Sequence, residues 1–146
     1  MIAPPPTPKP SQPRAAESAQ VHMRAASVAS SFRYAFAGLH YLLWTQRNAK
    51  IHTALGLVAI ALGVGLGIDR YEWLTLTLTI AIVLAAEGVN TAIEAAVDLA
   101  SPTYHPLAKI AKDVGAGTVL LTAVAAVIVG MLVFLPHLLP FVSRWL

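Results

Sequence analysis

The chain has 146 residues, one domain's worth. It is 57% apolar and only 12% charged, against about 25% charged in a soluble domain, and its mean hydropathy of +0.67 makes the bilayer its natural solvent. With no cysteine there are no disulfides, thiolate metal sites or thiol nucleophiles. A net charge of +3 in such a chain speaks to membrane topology rather than to nucleic acid, and no nucleic-acid partner is expected.

Residues 1–26 hold six of the ten prolines within the first 13 positions and read as a disordered or polyproline-like tail, without the apolar core and cleavage site of a signal peptide. Residues 27–50, "SVASSFRYAFAGLHYLLWTQRNAK", place Phe32, Phe36, Leu39 and Leu43 on one helical face. Arg33, Arg47 and Lys50 add charge, and Tyr41 and Trp44 suit a headgroup boundary. That pattern predicts an amphipathic helix lying in the membrane interface. Residues 51–68 form the first predicted span. They are uncharged, near the lower length limit for crossing, and contain Gly56, Gly63, Gly65 and Gly67, which would permit close helix packing.

After the polar turn "DRYEW", a second apolar run begins at Trp73 and has only 14 residues before Glu87. It spans only if its helix continues past Glu87, so the predicted second span is residues 73–99. The alternation in "LTLTLTI" also suits a strand, but an isolated strand cannot satisfy its backbone in lipid. "ASPTYHP" reads as a loop, "LAKIAKD" as a short basic segment and residues 114–135 as the third span. Residues 136–146 carry two prolines and read as an interfacial tail. The lipid-embedded domain is thus 27–135, an all-α membrane protein with one surface helix and three transmembrane helices.

Six Lys and Arg lie before the first span and two, Lys109 and Lys112, between spans two and three. Only Arg70 and Arg144 lie on the opposite side. The positive-inside rule places the N-terminus in the cytoplasm and, with three spans, the C-terminus outside.

On a helix, Glu87, Glu94 and Asp98 fall within about 40° of one another, with Asn90 about 60° from Glu87. Ionisable groups in a span are costly and face a bundle interior or a pathway. Three acids on one face need divalent metal, Lys109 and Lys112, or protonation to relieve their repulsion. Carboxylate oxygens suit Mg²⁺, which binds through one or two carboxylates plus substrate phosphates. Lys109, Lys112 and Asp113, followed by "VGAG", put cations and then flexible backbone at a helix start, where phosphates bind. Spacing alone leaves two further readings open: a solvated helix end, and an ion or proton pathway of a channel or transport subunit. The five histidines show no ligand-like pairing, and there is no GxxxxGK[ST] loop.

As a set, "EGVNTAIEAAVD" and "YHPLAKIAKDVGAG", together with "SFRYAFAGLHYLLWTQRNAKIH" and "IDRYEWL" upstream, resemble the small bacterial membrane lipid kinases, the diacylglycerol kinase and undecaprenol kinase family, over residues 31–135. The resemblance implies a homotrimeric helical bundle in the bacterial plasma membrane that moves the γ-phosphoryl of Mg-ATP to a lipid hydroxyl. It implies Glu87 as general base and Glu94 as a metal ligand that also sits at the nucleotide. Asp98, Lys112, Asp113, Tyr34, Thr103, Tyr104 and His105 match nucleotide-site positions. Phe36, Asn48 and Asn90 match lipid-site positions or their neighbours. A second metal-binding Glu of some relatives corresponds to Gln46, which offers a carbonyl oxygen without charge at the metal and nucleotide, and a basic residue of those relatives corresponds to Ser27. "RNAKIH", "EWL" and "YHPLAKIAKD" are closer to the undecaprenol kinase branch, so the expected acceptor is undecaprenol, with diacylglycerol as the alternative. The Gln46 departure also keeps open a member that binds lipid without turnover.

Overall fold

The computed structural model describes residues 28–142, which are all-helical apart from short connections. The proline-rich tail, Ser27 and residues 143–146 lie outside the described residues. Four helices follow in order: α1 (Val28–Thr45), α2 (Arg47–Leu66), α3 (Arg70–Ala100) and α4 (Pro106–Val142). The chain divides into two compact units, Met1–Phe36 and Ala37–Leu146. In the first, Arg33 donates to the Tyr34 hydroxyl at 3.4 Å, and Phe32, Tyr34 and Phe36 are exposed. The second carries α2, α3 and α4, which pack on one another, most extensively α3 with α4. These three helices are long and apolar enough to cross a membrane.

Element boundaries differ from expectation in three places, while the second span is helical as expected. The helix before the first span breaks at Gln46 rather than at residue 50. Gln46 adopts an extended conformation (φ −87°, ψ 119°), so "RNAK" begins α2 instead of ending α1. The second span is one uninterrupted helix through Glu87 and Asp98, and "LTLTLTI" is helical. "LAKIAKD" and "VGAG" both lie inside α4, so the glycines do not loosen a helix start. The helix begins instead at Pro106, whose missing N–H costs nothing in the first turn. Residues 136–142 continue α4 through Pro136 and Pro140 rather than forming a separate tail. There the His137 ring packs back on the helix, with Nδ1 3.0 Å from the Val133 carbonyl oxygen.

The α2–α3 connection is tight because local chemistry satisfies it. Gly67 ends α2 in the left-handed region (φ 66°), which costs glycine no Cβ strain. Its N–H and that of Ile68 both donate to the Gly63 carbonyl. Asp69 then opens α3 with a capping box: its carboxylate accepts from the Tyr71 and Glu72 N–H groups, and Glu72 accepts from the Asp69 N–H at 2.8 Å. Beside this turn Ile68, Leu76 and Val133 form a buried cluster with Trp73, Ile80 and Phe134 packed on it. Gly56 lets α2 close on α3, since a Cβ there would stand 3.2 Å from Ile80 Cγ2. These contacts set the register of α2 against α3.

Candidate functional site

The polar face of α3 lies at the end of the bundle away from that turn. Glu87 is 2% exposed although it is a carboxylate, and Asn90, one turn on, is also buried. Across from Glu87 stands His52 of α2, with Nε2 3.3 Å from Glu87 Oε1. The distance is that of an ion pair, but hydrogen-bond alignment is absent, and Oε1 has no hydrogen-bond partner. Asn90 donates from Nδ2 to Glu94 Oε1 at 2.9 Å, while its own Oδ1 is buried and unpartnered. Gly115 of α4 packs directly against that oxygen, and a Cβ there would collide with it. The expected stripe thus runs along α3 from buried Glu87 and Asn90 to half-buried Glu94, with Asn90 bonded to Glu94 and His52 of α2 facing Glu87.

Farther along α3 the array reaches the surface. Lys112 Nζ donates to Asp98 Oδ1 at 2.5 Å, bridging α4 to α3 across the connecting loop. Lys109 pairs with Asp113 on the outer face of α4. The loop is held by the Ser101 hydroxyl donating to the Thr103 carbonyl and by His105 Nδ1 accepting from the Leu107 N–H. His105 therefore caps α4 as well as lining the site. A cleft of about 480 Å³ opens here, lined among others by Asp98, Tyr104, His105, Lys112 and Asp113, with Thr103 at its edge. Its two ammonium groups are each paired with a carboxylate, Lys112 with Asp98 and Lys109 with Asp113, and its ring faces stand beside open access. A second, apolar groove of about 250 Å³ runs between the three long helices past Leu76, Val83 and Phe134 and includes His52.

The expected site residues thus separate. Glu87, Asn90, Glu94, Asp98, Thr103, Tyr104, His105, Lys112 and Asp113 share one end of the bundle. Asn48 stands exposed in the first turn of α2. Gln46 precedes that helix, with its Nε2 donating to Thr45 Oγ1 at 3.2 Å; none of its described hydrogen bonds reaches Glu94. Tyr34 and Phe36 belong to the first unit. His52 was not foreseen as part of the site. The available signal was an ionisable residue inside an apolar span, which marks function by default.

Among the described residues no group of three or more His, Asp or Glu side chains could hold a metal ion. A closed protein cage is therefore not available, whereas Mg²⁺ held by one carboxylate and substrate phosphates is compatible with the donors present. Glu94 is half-buried, hydrogen-bonded by Asn90 and on the same face of α3 as Asp98, features a single carboxylate ligand would need.

Known proteins give this arrangement its context. The prokaryotic diacylglycerol kinase family model matches residues 33–134. A protein of Synechocystis sp. named diacylglycerol kinase is 46% identical over 110 residues, covering 75% of this chain and 63% of its own length. A Bacillus subtilis protein named undecaprenol kinase is 40% identical over 108 residues, covering 74% of this chain and 88% of its own. This chain thus spans somewhat under two thirds of the cyanobacterial relative. Three long apolar helices and the extent of the family match together make it a multi-pass membrane protein, and the chain belongs to the prokaryotic diacylglycerol kinase family.

Proposed function

We propose that the protein is an ATP-dependent lipid kinase that transfers the γ-phosphoryl group to a membrane lipid hydroxyl. The observation that carries this reading is the buried Glu87 carboxylate with an unpartnered oxygen, on the same face of α3 as the Asp98–Lys112 pair that lines the open cleft. Rise along the helix relates the array to the bilayer. If Arg70 marks one interface, Glu87 lies about 26 Å along α3, Glu94 about 36 Å and Asp98 about 42 Å. With a hydrocarbon core of about 30 Å, Glu87 sits just inside the far boundary and Asp98 beyond it. A lipid hydroxyl meets Glu87 there while a nucleotide stays in water.

In this mechanism Glu87 takes the proton of the lipid hydroxyl as the lipid oxygen bonds to the γ-phosphorus. The bond from that phosphorus to the β,γ-bridging oxygen breaks, and ADP leaves with the bond's electron pair. Phosphoryl transfer asks mainly for positioning and charge neutralisation. Lys112, held by Asp98, and Lys109, paired with Asp113, supply positive charge in the cleft, and Tyr104 and His105 supply ring faces at its rim. Asn90 orients the Glu94 carboxylate for metal, and Gln46 adds a neutral oxygen if α1 and α2 bring it near. Mg²⁺, when bound, neutralises phosphate charge at Glu94. Tyr34 is assigned to the nucleotide, and Phe36 and Asn48 to the lipid, on family likeness.

We further infer a homotrimer in the bacterial plasma membrane, with the N-terminus cytoplasmic and the C-terminus outside. The bias of Lys and Arg supports the orientation. The apolar surface that the three long helices expose, and the small residues of α2, support assembly. The acceptor reading is undecaprenol, from the local motifs. Diacylglycerol is the second reading, favoured by the 46% identity to the Synechocystis protein of that name. The experiment is purified full chain in lipid with Mg-ATP carrying a labelled γ-phosphate, given polyprenol and diacylglycerol in parallel. Label in one lipid assigns the acceptor. Label in neither above a Glu87→Gln control sinks the reading.

A further inference from the structure

We infer that His52 is the positioning residue for Glu87, holding one carboxylate oxygen so that the other is presented to the lipid hydroxyl. The inference rests on the lipid-kinase reading and goes beyond it by naming a group on a different helix. His52 Nε2 lies 3.3 Å from Glu87 Oε1, and the two side chains are 18% and 3% exposed. That oxygen has no hydrogen-bond partner, so a small tilt of the ring supplies one. Catalytic hydrogen bonds are commonly long or misaligned before substrate binds and tighten in the complex.

The backbone around His52 is built to place it. Ala49, three residues earlier, is completely buried, and Gly56, four residues later, packs against Ile80 of α3, where a Cβ would stand 3.2 Å from Cγ2. All three positions share one face of α2 by helical periodicity, so His52 is fixed between two packing contacts. A polar residue serving only to fill space has no need of this. Leu, Val or Ala, abundant on both sides of His52, fill space in lipid at lower cost. His52 also lines the apolar groove, which puts the pair where a lipid chain and its hydroxyl meet.

The test compares His52→Met, which keeps bulk but removes the ring N–H, with His52→Gln, which keeps a donor of similar reach. Both are made in the full chain in lipid, with kcat and KM measured for Mg-ATP and for the lipid the parent protein phosphorylates. Expected for His52→Met is a fall in kcat of roughly 10- to 100-fold, the scale of a misplaced reacting group, with both KM values within about two-fold. His52→Gln should recover most of the loss. In a Glu87→Gln background the Met change should cost no more than about two-fold, because groups acting as a unit are not additive. A parent-like kcat for His52→Met overturns the inference while leaving the lipid-kinase reading intact. So does a loss confined to lipid KM, which would make His52 a lipid contact, and so does an undiminished loss in the Glu87→Gln background. If the parent protein phosphorylates neither lipid, both readings fall together.

Discussion

The two ends of the three-helix bundle use the same residue types to opposite effect. At the α2–α3 turn the acids are satisfied. Asp69 and Glu72 cap each other's backbone, and Glu72 lies 3.5 Å from His137 Nε2 beside a closed apolar cluster. At the other end Glu87 and Asn90 are more deeply buried, yet each leaves an oxygen without a hydrogen-bond partner. Both ends hold a histidine near a glutamate, His137 with Glu72 and His52 with Glu87. One pair sits at a helix terminus, while the other lies on the polar face that leads to the cleft lined by the Asp98–Lys112 and Lys109–Asp113 pairs. A buried polar atom without a partner costs about 1–3 kcal/mol. The polar groups at the turn are satisfied by their own backbone, whereas those at the other end leave hydrogen-bonding capacity that His52 and the acceptor hydroxyl would use in the proposed reaction.

Substitutions at matched positions break or sharpen this contrast. Glu87→Gln should lower phosphoryl transfer by about 10²- to 10⁴-fold, the usual range for losing a general base, with thermal stability held or raised because a buried charge is gone. Glu72→Gln at the closed end should leave transfer near the parent rate and lower the melting temperature instead. A labelled-phosphate assay and a melting curve on both variants check the reversal.

Gly115→Ala is next in size. Its Cβ would meet Asn90 Oδ1, so α3 and α4 must part or Asn90 must turn, at about 1–3 kcal/mol. Denaturation in detergent should show that loss, with activity falling alongside it. Gly117→Ala meets nothing within 4 Å and is the control expected to behave as the parent.

Lys112→Met should raise the KM for Mg-ATP about ten-fold, or ~1.4 kcal/mol. Stability should change by about 1 kcal/mol or less, since its pair with Asp98 is largely exposed. An equal loss of stability and affinity would make that pair a structural clamp. Smallest in consequence for function is Asp69→Ala, which removes an N-cap and should cost about 0.5–2 kcal/mol of stability with the transfer rate unchanged. If it impaired transfer as strongly as Glu87→Gln, the division between a structural and a functional end would be wrong.

Much of this was legible along the chain. Three helices long and apolar enough to span follow from hydropathy, because every residue facing lipid must be apolar and every backbone group paired. The face shared by Glu87, Asn90, Glu94 and Asp98 follows from helical periodicity. The capping box of α3 is missed, because "DRYEW" reads as a polar turn and the predicted helix starts only at Trp73. Boundaries were less legible. Residues 136–142 look like a tail because proline breaks helices in isolation, yet α4 runs through both prolines. "VGAG" looks flexible for a similar reason, yet Gly115 is where α4 comes close enough to meet Asn90.

What the sequence by itself determined is whatever depends on neighbours within a helical turn, on total hydropathy or on motif likeness: helix number, the acid stripe and the family. What only the tertiary structure decided is which groups on different helices meet. His52 and Glu87 are 35 positions apart and come together because small residues set the register of α2 on α3. Asp98 and Lys112 meet because the loop folds α4 back along α3. Pairing across helices depends on packing distance and register, which periodicity along a single helix does not encode.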